Sequence, residues 1–412
     1  MVVKKRTIGV LLAAFIILWL NSGNFDYISD RIPTIAKFGI VGLWLVIACD
    51  TDRQFLERYI RISLPIFMVL ILLVCSSLIG RSTYSDMYFM RFMYLAVIQA
   101  LFSFYFYGGY YKEIAFLLLV LFADVGIVAI RTVIIVLQNP IVARAISTSV
   151  QMRTELLGDF STVGVGGYGL CYQLAFITPC IGYVFNEKQQ KSITKILVYA
   201  MIVFALFQFQ ITMALLVSVA FIFCFEIIRS NGGSWTIVLA KTATIFAIIV
   251  VFVNFQNVIE YISRYANTDL AKRLNELLLI RSDNANSADD LLSRFRLYSI
   301  SISSFWKNPI WGMFGNGPYG AHSTILDLLA SFGILGAFGI CGICRPLTIL
   351  YKNCEKGSRE RVYVMWITVA FVLFSVLNVA LWSDILLICN FAIPLVFKAS
   401  GSSIDRISRS YV

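Results

Sequence analysis

Residues 62–80 read ISLPIFMVLILLVCSSLIG and hold no charged side chain. A helix rises about 1.5 Å per residue, so a run of this length crosses most of the roughly 30 Å of bilayer hydrocarbon. No water is available there, so the backbone must satisfy its own hydrogen bonds, and the segment is expected to be a helix. Similar runs recur on both sides of it. They lie at 7–21, 35–49, 88–108, 113–137, 164–185, 193–209, 211–229, 237–255, 324–351, 362–381 and 384–398. The stretch 193–229 is interrupted only by Gln208 and Gln210 and is too long for one helix, so a tight hairpin turning at the outer face is expected. The chain is 59% hydrophobic and 14% charged, against about 45–50% and about 25% for soluble domains. The alternating pattern of a membrane β-barrel is absent. The fold class expected is an all-α polytopic membrane protein of about twelve spans.

Charge orients the bundle. Of the 34 lysines and arginines, 20 fall in segments 1–6, 50–61, 109–112, 186–195, 229–241, 345–361 and 398–412. By the positive-inside rule these are cytoplasmic, and both termini lie inside a bacterial plasma membrane. The same rule accounts for most of the net charge of +11, so no nucleic-acid partner is expected. Met1–Arg6 and the apolar run after it resemble a signal peptide, but no small-residue cleavage site follows, so the run is retained as a span. Three parts follow: a bundle over 1–254 with an outer loop at 138–163, a large extracytoplasmic loop at 255–322, and the last three spans with a tail over 323–412. None of the nine cysteines falls in the large loop, and no disulfide framework is expected. Cys341 and Cys344 form a C-x-x-C inside an apolar run and read as packing.

Loops longer than about 12–15 residues are usually functional or disordered. The large loop reads as helix over 256–280, a polar break over 282–290, helix over 290–305 and then a Gly/Pro-rich turn. Leu291, Phe295, Tyr298, Ile302 and Phe305 recur at helical spacing, an apolar stripe lying on the bilayer surface or on the bundle. Trp306 and Trp311 are placed like interfacial anchors.

Several smaller features have a plain reading and a functional one. Asp50-Thr51-Asp52 has the form of a metal-holding D-x-D, but it ends a span among arginines and reads as helix-end solvation. The glycines at 164, 166, 167 and 169 suggest close helix packing, with an anion-binding helix start as the minority reading. Asp124 and Arg131 share one face of the fifth span. Charges in lipid are costly and point to function, with a structural ion pair as the plain alternative. Arg91, near the outer end of its span, reads as a snorkelling side chain. Internal repeats that would signal an inverted-repeat transporter are not visible.

The only histidine, His322, closes the large loop. It follows Asn308-Pro309-Ile310-Trp311-Gly312 and Gly315-Asn316-Gly317-Pro318-Tyr319-Gly320, and precedes a helix opening at Ser323. Glycines admit close backbone approach, and a helix start offers amide donors to anions. One histidine without outer cysteines does not suit a transition-metal centre, so no metal or cofactor is expected. A metal-free general base or a phosphate ligand remains. Arginines supply the complement: Arg281, Arg294 and Arg296 in this loop, and Arg144 and Arg153 in the loop at 138–163. Guanidinium suits bidentate phosphate binding. Arg294 and Arg153 are the first choices, with Asn316, Tyr319 and Ser323 as further substrate contacts.

The order Ser293-Arg294-x(3)-Tyr298, Asn308-Pro309-Ile310-Trp311-Gly312, Gly315-Asn316-Gly317, His322-Ser323-x(3)-Asp327, then Phe332-Gly333-x(2)-Gly336 resembles the O-antigen ligase and Wzy-type polysaccharide polymerase superfamily. The family often has a Ser-Arg near a middle outer hairpin. Here that place reads Phe207-Gln208-Phe209-Gln210-Ile211-Thr212, so another arginine would have to take its role. The resemblance implies a metal-independent glycosyltransferase of GT-C-like organisation. The donor would be an undecaprenyl-pyrophosphate-linked oligosaccharide, with a chain-length regulator and a flippase as expected partners. His322 would serve as base or orienter, with Arg294 and Arg153 on the leaving pyrophosphate. Three readings stay open: a polymerase, favoured; a ligase transferring glycan to lipid A core or another surface acceptor; and a transporter or flippase of lipid-linked sugars acting through Asp124 and Arg131.

Overall fold

The computed structural model describes residues 2–21, 31–80, 83–139, 142, 164–187, 192–209, 211–229 and 289–400. Within them the protein is helical, without strands: α1 Val2–Asn21, α2 Thr34–Thr51, α3 Phe55–Ile79, α4 Thr83–Gly108, α5 Tyr111–Gln138, α6 Tyr168–Glu187, α7 Ser192–Gln208, α8 Thr212–Arg229, α9 Asp289–Lys307, α10 Thr324–Phe332, α11 Ala337–Asn353, α12 Arg359–Leu377, α13 Ser383–Leu387 and α14 Ile393–Ser400. Eight apolar helical stretches among the described residues are long enough to cross a membrane. The chain has the make-up of a multi-pass membrane protein. Helix is present at each expected span except 237–255, which lies outside the described residues.

Three spans differ in detail from a hydropathy reading. Helix α3 begins at Phe55, ahead of the apolar run, because Arg58 and Arg61 pair with Asp52 and Glu57 on the helix and its approach. The run at 324–351 is two helices, α10 and α11, joined by a tight 3₁₀ turn at Gly333–Gly336. Near its end, α13 passes into α14 through a π-turn at Ile388–Ala392, an irregularity that hydropathy cannot register.

The chain divides into two compact units. The first comprises 1–129, 162–173 and 297–412. In it α3 packs along α4 and α11, α1 along α2, and the π-turn against α4 and α11. Aromatic and small residues seat these helices. Trp44 meets Phe55 and Phe104 edge-on at 5.9 and 5.8 Å. A Cβ on Gly342 would come within 2.1 Å of Ile66, and the Gly342 carbonyl accepts from Gln99 Nε2 at 2.7 Å. Association in lipid depends on such close approach and on interhelical hydrogen bonds. Lys398, fully enclosed, donates to the Phe106 carbonyl and lies over the Phe106 ring. It places a cation against the negative C-terminal end of α4.

Charged side chains at the far end of α4 from its first turn are mutually engaged. Lys5 bonds Asp50 at 2.9 Å, Arg58 bonds Asp52, and Arg6 lies 3.6 Å from Glu113. Each carboxylate of the D-x-D thus has a cation, the arrangement of helix-end solvation. Deeper in the unit, Asn21 donates to Asp124 at 2.5 Å, and Gln173 donates to Asn21 and to the Asp384 carbonyl, the latter at 3.2 Å.

The second unit comprises 130–161 and 174–296. Helix α7 ends at Gln208, α8 opens at Thr212, and the two pack together as the expected tight hairpin. Thr178 and Ser218 share a hydroxyl hydrogen bond of 2.9 Å, beside an edge contact of Phe176 with Phe221 at 5.8 Å.

Candidate functional site

The segment 308–323 is tied to the helix that follows it. Met313 N–H donates to the Ala330 carbonyl at 2.9 Å, Gly315 N–H to Ser331 at 3.1 Å, and Ile334 N–H to Pro309 at 2.8 Å. Two glycines make this possible. Gly312, at φ +63°, lies so close to the chain at Gly333 that a Cβ would meet the Gly333 nitrogen at 2.4 Å. Gly333, at φ +57°, sits equally tightly against Pro309 and Ile310. Both need the left-handed conformation that only glycine adopts freely.

Asp327 is the hub beneath this turn. Its carboxylate accepts from Ser301 Oγ at 2.6 Å and from Ser323 N–H at 3.2 Å. Ser301 Oγ in turn accepts from Gly320 N–H at 2.8 Å. Asp327, Ser301 and Ser323 are all buried, and buried carboxylates require such partners. The network therefore clamps α9, the glycine-rich turn and α10 together. Ser323 caps α10, its hydroxyl accepting from Leu326 N–H at 3.0 Å and donating to the Ser375 carbonyl at 3.4 Å. Ala321 is held at φ +58°, a conformation that costs an L-residue roughly 1–2 kcal/mol. The result is that His322, next in the chain, is exposed above the buried clamp.

A line of aromatic rings runs from the turn into the bundle. Tyr319 meets Tyr84 edge-on at 5.2 Å, and Tyr84 stacks on Tyr88 at 4.2 Å. Both inner tyrosines are fully buried, at 0% exposure. Burial raises the Tyr84 phenol well above its ordinary pKa, so it stays a neutral hydroxyl. The Arg91 guanidinium follows, 5.0 Å from the Tyr88 ring and 4.3 Å from that of Trp382.

The residues expected from the sequence are distributed as follows. His322 is exposed, Tyr319 half-buried against Tyr84, and Asn316 exposed with its amide about 3.1 Å from where a Gly80 Cβ would lie. Ser323 is buried with its hydroxyl engaged in the fold. Arg294, half-buried, and Arg296, exposed, lie on the part of α9 that belongs to the second unit. Arg144, Arg153 and Arg281 lie outside the described residues. Gly169, one of the close-packing glycines, presses against the Asp384 carboxylate, which a Cβ would overlap.

Sequence reasoning took Arg91 for a snorkelling side chain and did not single out Tyr84, Tyr88 or Trp382. Each has an ordinary reading alone, and only tertiary contact groups them. Asp327 carried a readable signal, a carboxylate in the first turn of an apolar run. Among the described residues, no three His, Cys, Asp or Glu side chains group as metal ligands would. No protein-family model matches the chain, and no curated protein matches its sequence.

Proposed function

We propose that this protein is a polysaccharide polymerase of the outer face of the bacterial plasma membrane. It transfers an undecaprenyl-pyrophosphate-linked oligosaccharide onto another lipid-linked repeat unit, in the assembly of O-antigen, capsule or exopolysaccharide. The observation that carries the reading is the turn 308–323: this part of the motif that resembles the polymerase superfamily folds into one clamped element that presents His322 to solvent.

In the reaction, the acceptor hydroxyl attacks the anomeric carbon, a new glycosidic C–O bond forms, and the bond to the pyrophosphate oxygen breaks. The hydroxyl proton passes to His322, imidazole being the side chain best suited to take up a proton in general-base catalysis. The pyrophosphate leaves on its lipid, its charge met by guanidinium groups, for which Arg294 and Arg153 are proposed. Both termini are assigned to the cytoplasm, with twelve spans in a GT-C-like arrangement.

The expected outcome for His322→Ala is loss of polymer while single repeats persist and membrane abundance is unchanged. Near-normal polymer from this variant would remove the histidine from the mechanism. Long lipid-linked chains accumulating in a null strain would instead indicate a ligase. Purified protein elongating synthetic lipid-linked repeats in the presence of chelator would separate an enzyme from a transporter. The transporter reading has its own observation, the buried Asp124–Asn21–Gln173 chain. It predicts that Asp124→Asn stops flux while His322→Ala does not.

A further inference from the structure

Arg91 is placed differently from a snorkelling side chain. Its guanidinium lies against the rings of Trp382 and Tyr88 at 4.3 and 5.0 Å. Such ring contacts are electrostatic and satisfy none of the five N–H donors of the guanidinium as ordinary hydrogen bonds do. Among the described residues, no carboxylate lies within ion-pair distance of it. Asp384, Tyr84, Tyr88 and Tyr319 are within electrostatic range, but Asp384 packs against the Gly169 backbone.

A second, independent feature lies beside it. The hydroxyls of Tyr84 and Tyr88 are buried and form no hydrogen bond. A buried polar group without a partner is unfavourable, and these two stand one turn apart on the same helix. Both hydroxyls are donors, as is the guanidinium edge. A chemical group that accepts from all three is anionic and rich in oxygen. At the mouth of a helix bundle, beside a bilayer, a phosphoryl group on a lipid fits that description.

We infer that Arg91, with the hydroxyls of Tyr84 and Tyr88, forms a binding site for lipid-borne phosphate at the N-terminal end of α4, with Trp382 holding the guanidinium in place. This deepens the polymerase reading and rests on it only for the choice of lipid: the phosphate is then the pyrophosphate of the carrier, seated along the tyrosine line leading to His322. An ordinary phospholipid headgroup has the same chemistry and would occupy the same donors.

The test uses the full-length chain in nanodiscs, with binding of undecaprenyl pyrophosphate and of phosphatidylglycerol measured by native mass spectrometry. Tyr84→Phe and Tyr88→Phe keep the rings and remove only the hydroxyls. Arg91→Lys keeps the charge but loses the planar fork. Arg91→Gln removes the charge. The expected result is that Arg91→Gln weakens binding by roughly tenfold or more, and the double Phe variant by roughly tenfold. Preference for the pyrophosphate lipid in the wild type, lost in these variants, identifies the carrier as the ligand. Equal loss for both lipids identifies a general headgroup site. Wild-type affinity for both lipids in Arg91→Gln and in the double Phe variant, each with an unchanged melting temperature, overturns the site. If Arg91→Gln does not fold, the two single Phe variants still decide it. The two proposals fail separately. Carrier binding that depends on Arg91, combined with normal polymer from His322→Ala, removes the polymerase reading alone. Loss of polymer in His322→Ala with unaltered binding in the Arg91 and tyrosine variants removes this site alone.

Discussion

Asp327 shows how one side chain can hold a glycine-rich turn in place. Its carboxylate takes a hydroxyl from α9 and a backbone N–H from the start of α10, so two elements far apart in role share one acceptor. Asp327→Asn preserves the shape but turns an amide donor toward one of those donors. The expected cost is about 1–3 kcal/mol in unfolding free energy, with Ser301→Ala nearer about 1 kcal/mol. Denaturant unfolding in detergent micelles measures both, and a double variant no worse than Asp327→Asn would show that the two residues act through one bond. Unchanged stability in both single variants would remove the clamp. At this scale the sequence was half legible. His322 stood out because it is the only histidine, and the glycines around it because they are so closely spaced. The arginine among rings at Arg91 did not stand out, because Trp382 and the two tyrosines come from opposite ends of the chain and no spacing rule joins them.

At the level of elements, α9 is informative. The apolar stripe expected along it is divided in the structure. Tyr298 donates to the Leu377 carbonyl at 2.6 Å and Ser301 and Ser304 face inward, while Ile302 and Trp306 remain exposed. Trp306 and Trp311 are 71% and 61% exposed. A soluble protein would not leave two such rings in water without reason, and at a membrane surface tryptophan is at home. Fluorescence of a variant retaining only these two tryptophans should be strongly quenched by brominated lipids in nanodiscs. Emission indifferent to bromine position would take α9 off the bilayer surface. Hydropathy indicated that a helix was here and that it was amphipathic. It could not say that serines, not the aromatic stripe, make the inner contact, because small polar residues score as surface until a buried carboxylate gives them a partner.

For the whole molecule, the described helices are those the apolar runs mark, since span length is set by bilayer thickness and not by tertiary detail. What lay beyond pattern reading was the breakage of spans. The run at 324–351 is hydrophobic throughout its turn, and only the crowding of Gly333 and Gly336 against neighbouring backbone reveals the 3₁₀ link. Orientation is a prediction at this scale. A reporter that is active only in the cytoplasm, fused after Val412, should be active, and one inserted beside His322 should be silent. The reverse pattern would place the histidine on the wrong side for a lipid-linked donor at the outer face.

The back-to-back glycines Gly312 and Gly333 carry one more consequence. A segment bonded through Pro309, Met313 and Gly315 to α10 and the turn that follows it is an anvil, not a lid. Those bonds tie the segment that carries His322 to the helix behind it, and under the polymerase proposal a long carbohydrate would be brought to the histidine, not gripped by a closing lid. If the proposal holds, choice of repeat unit would then fall to the surrounding walls, with the histidine indifferent to the sugar.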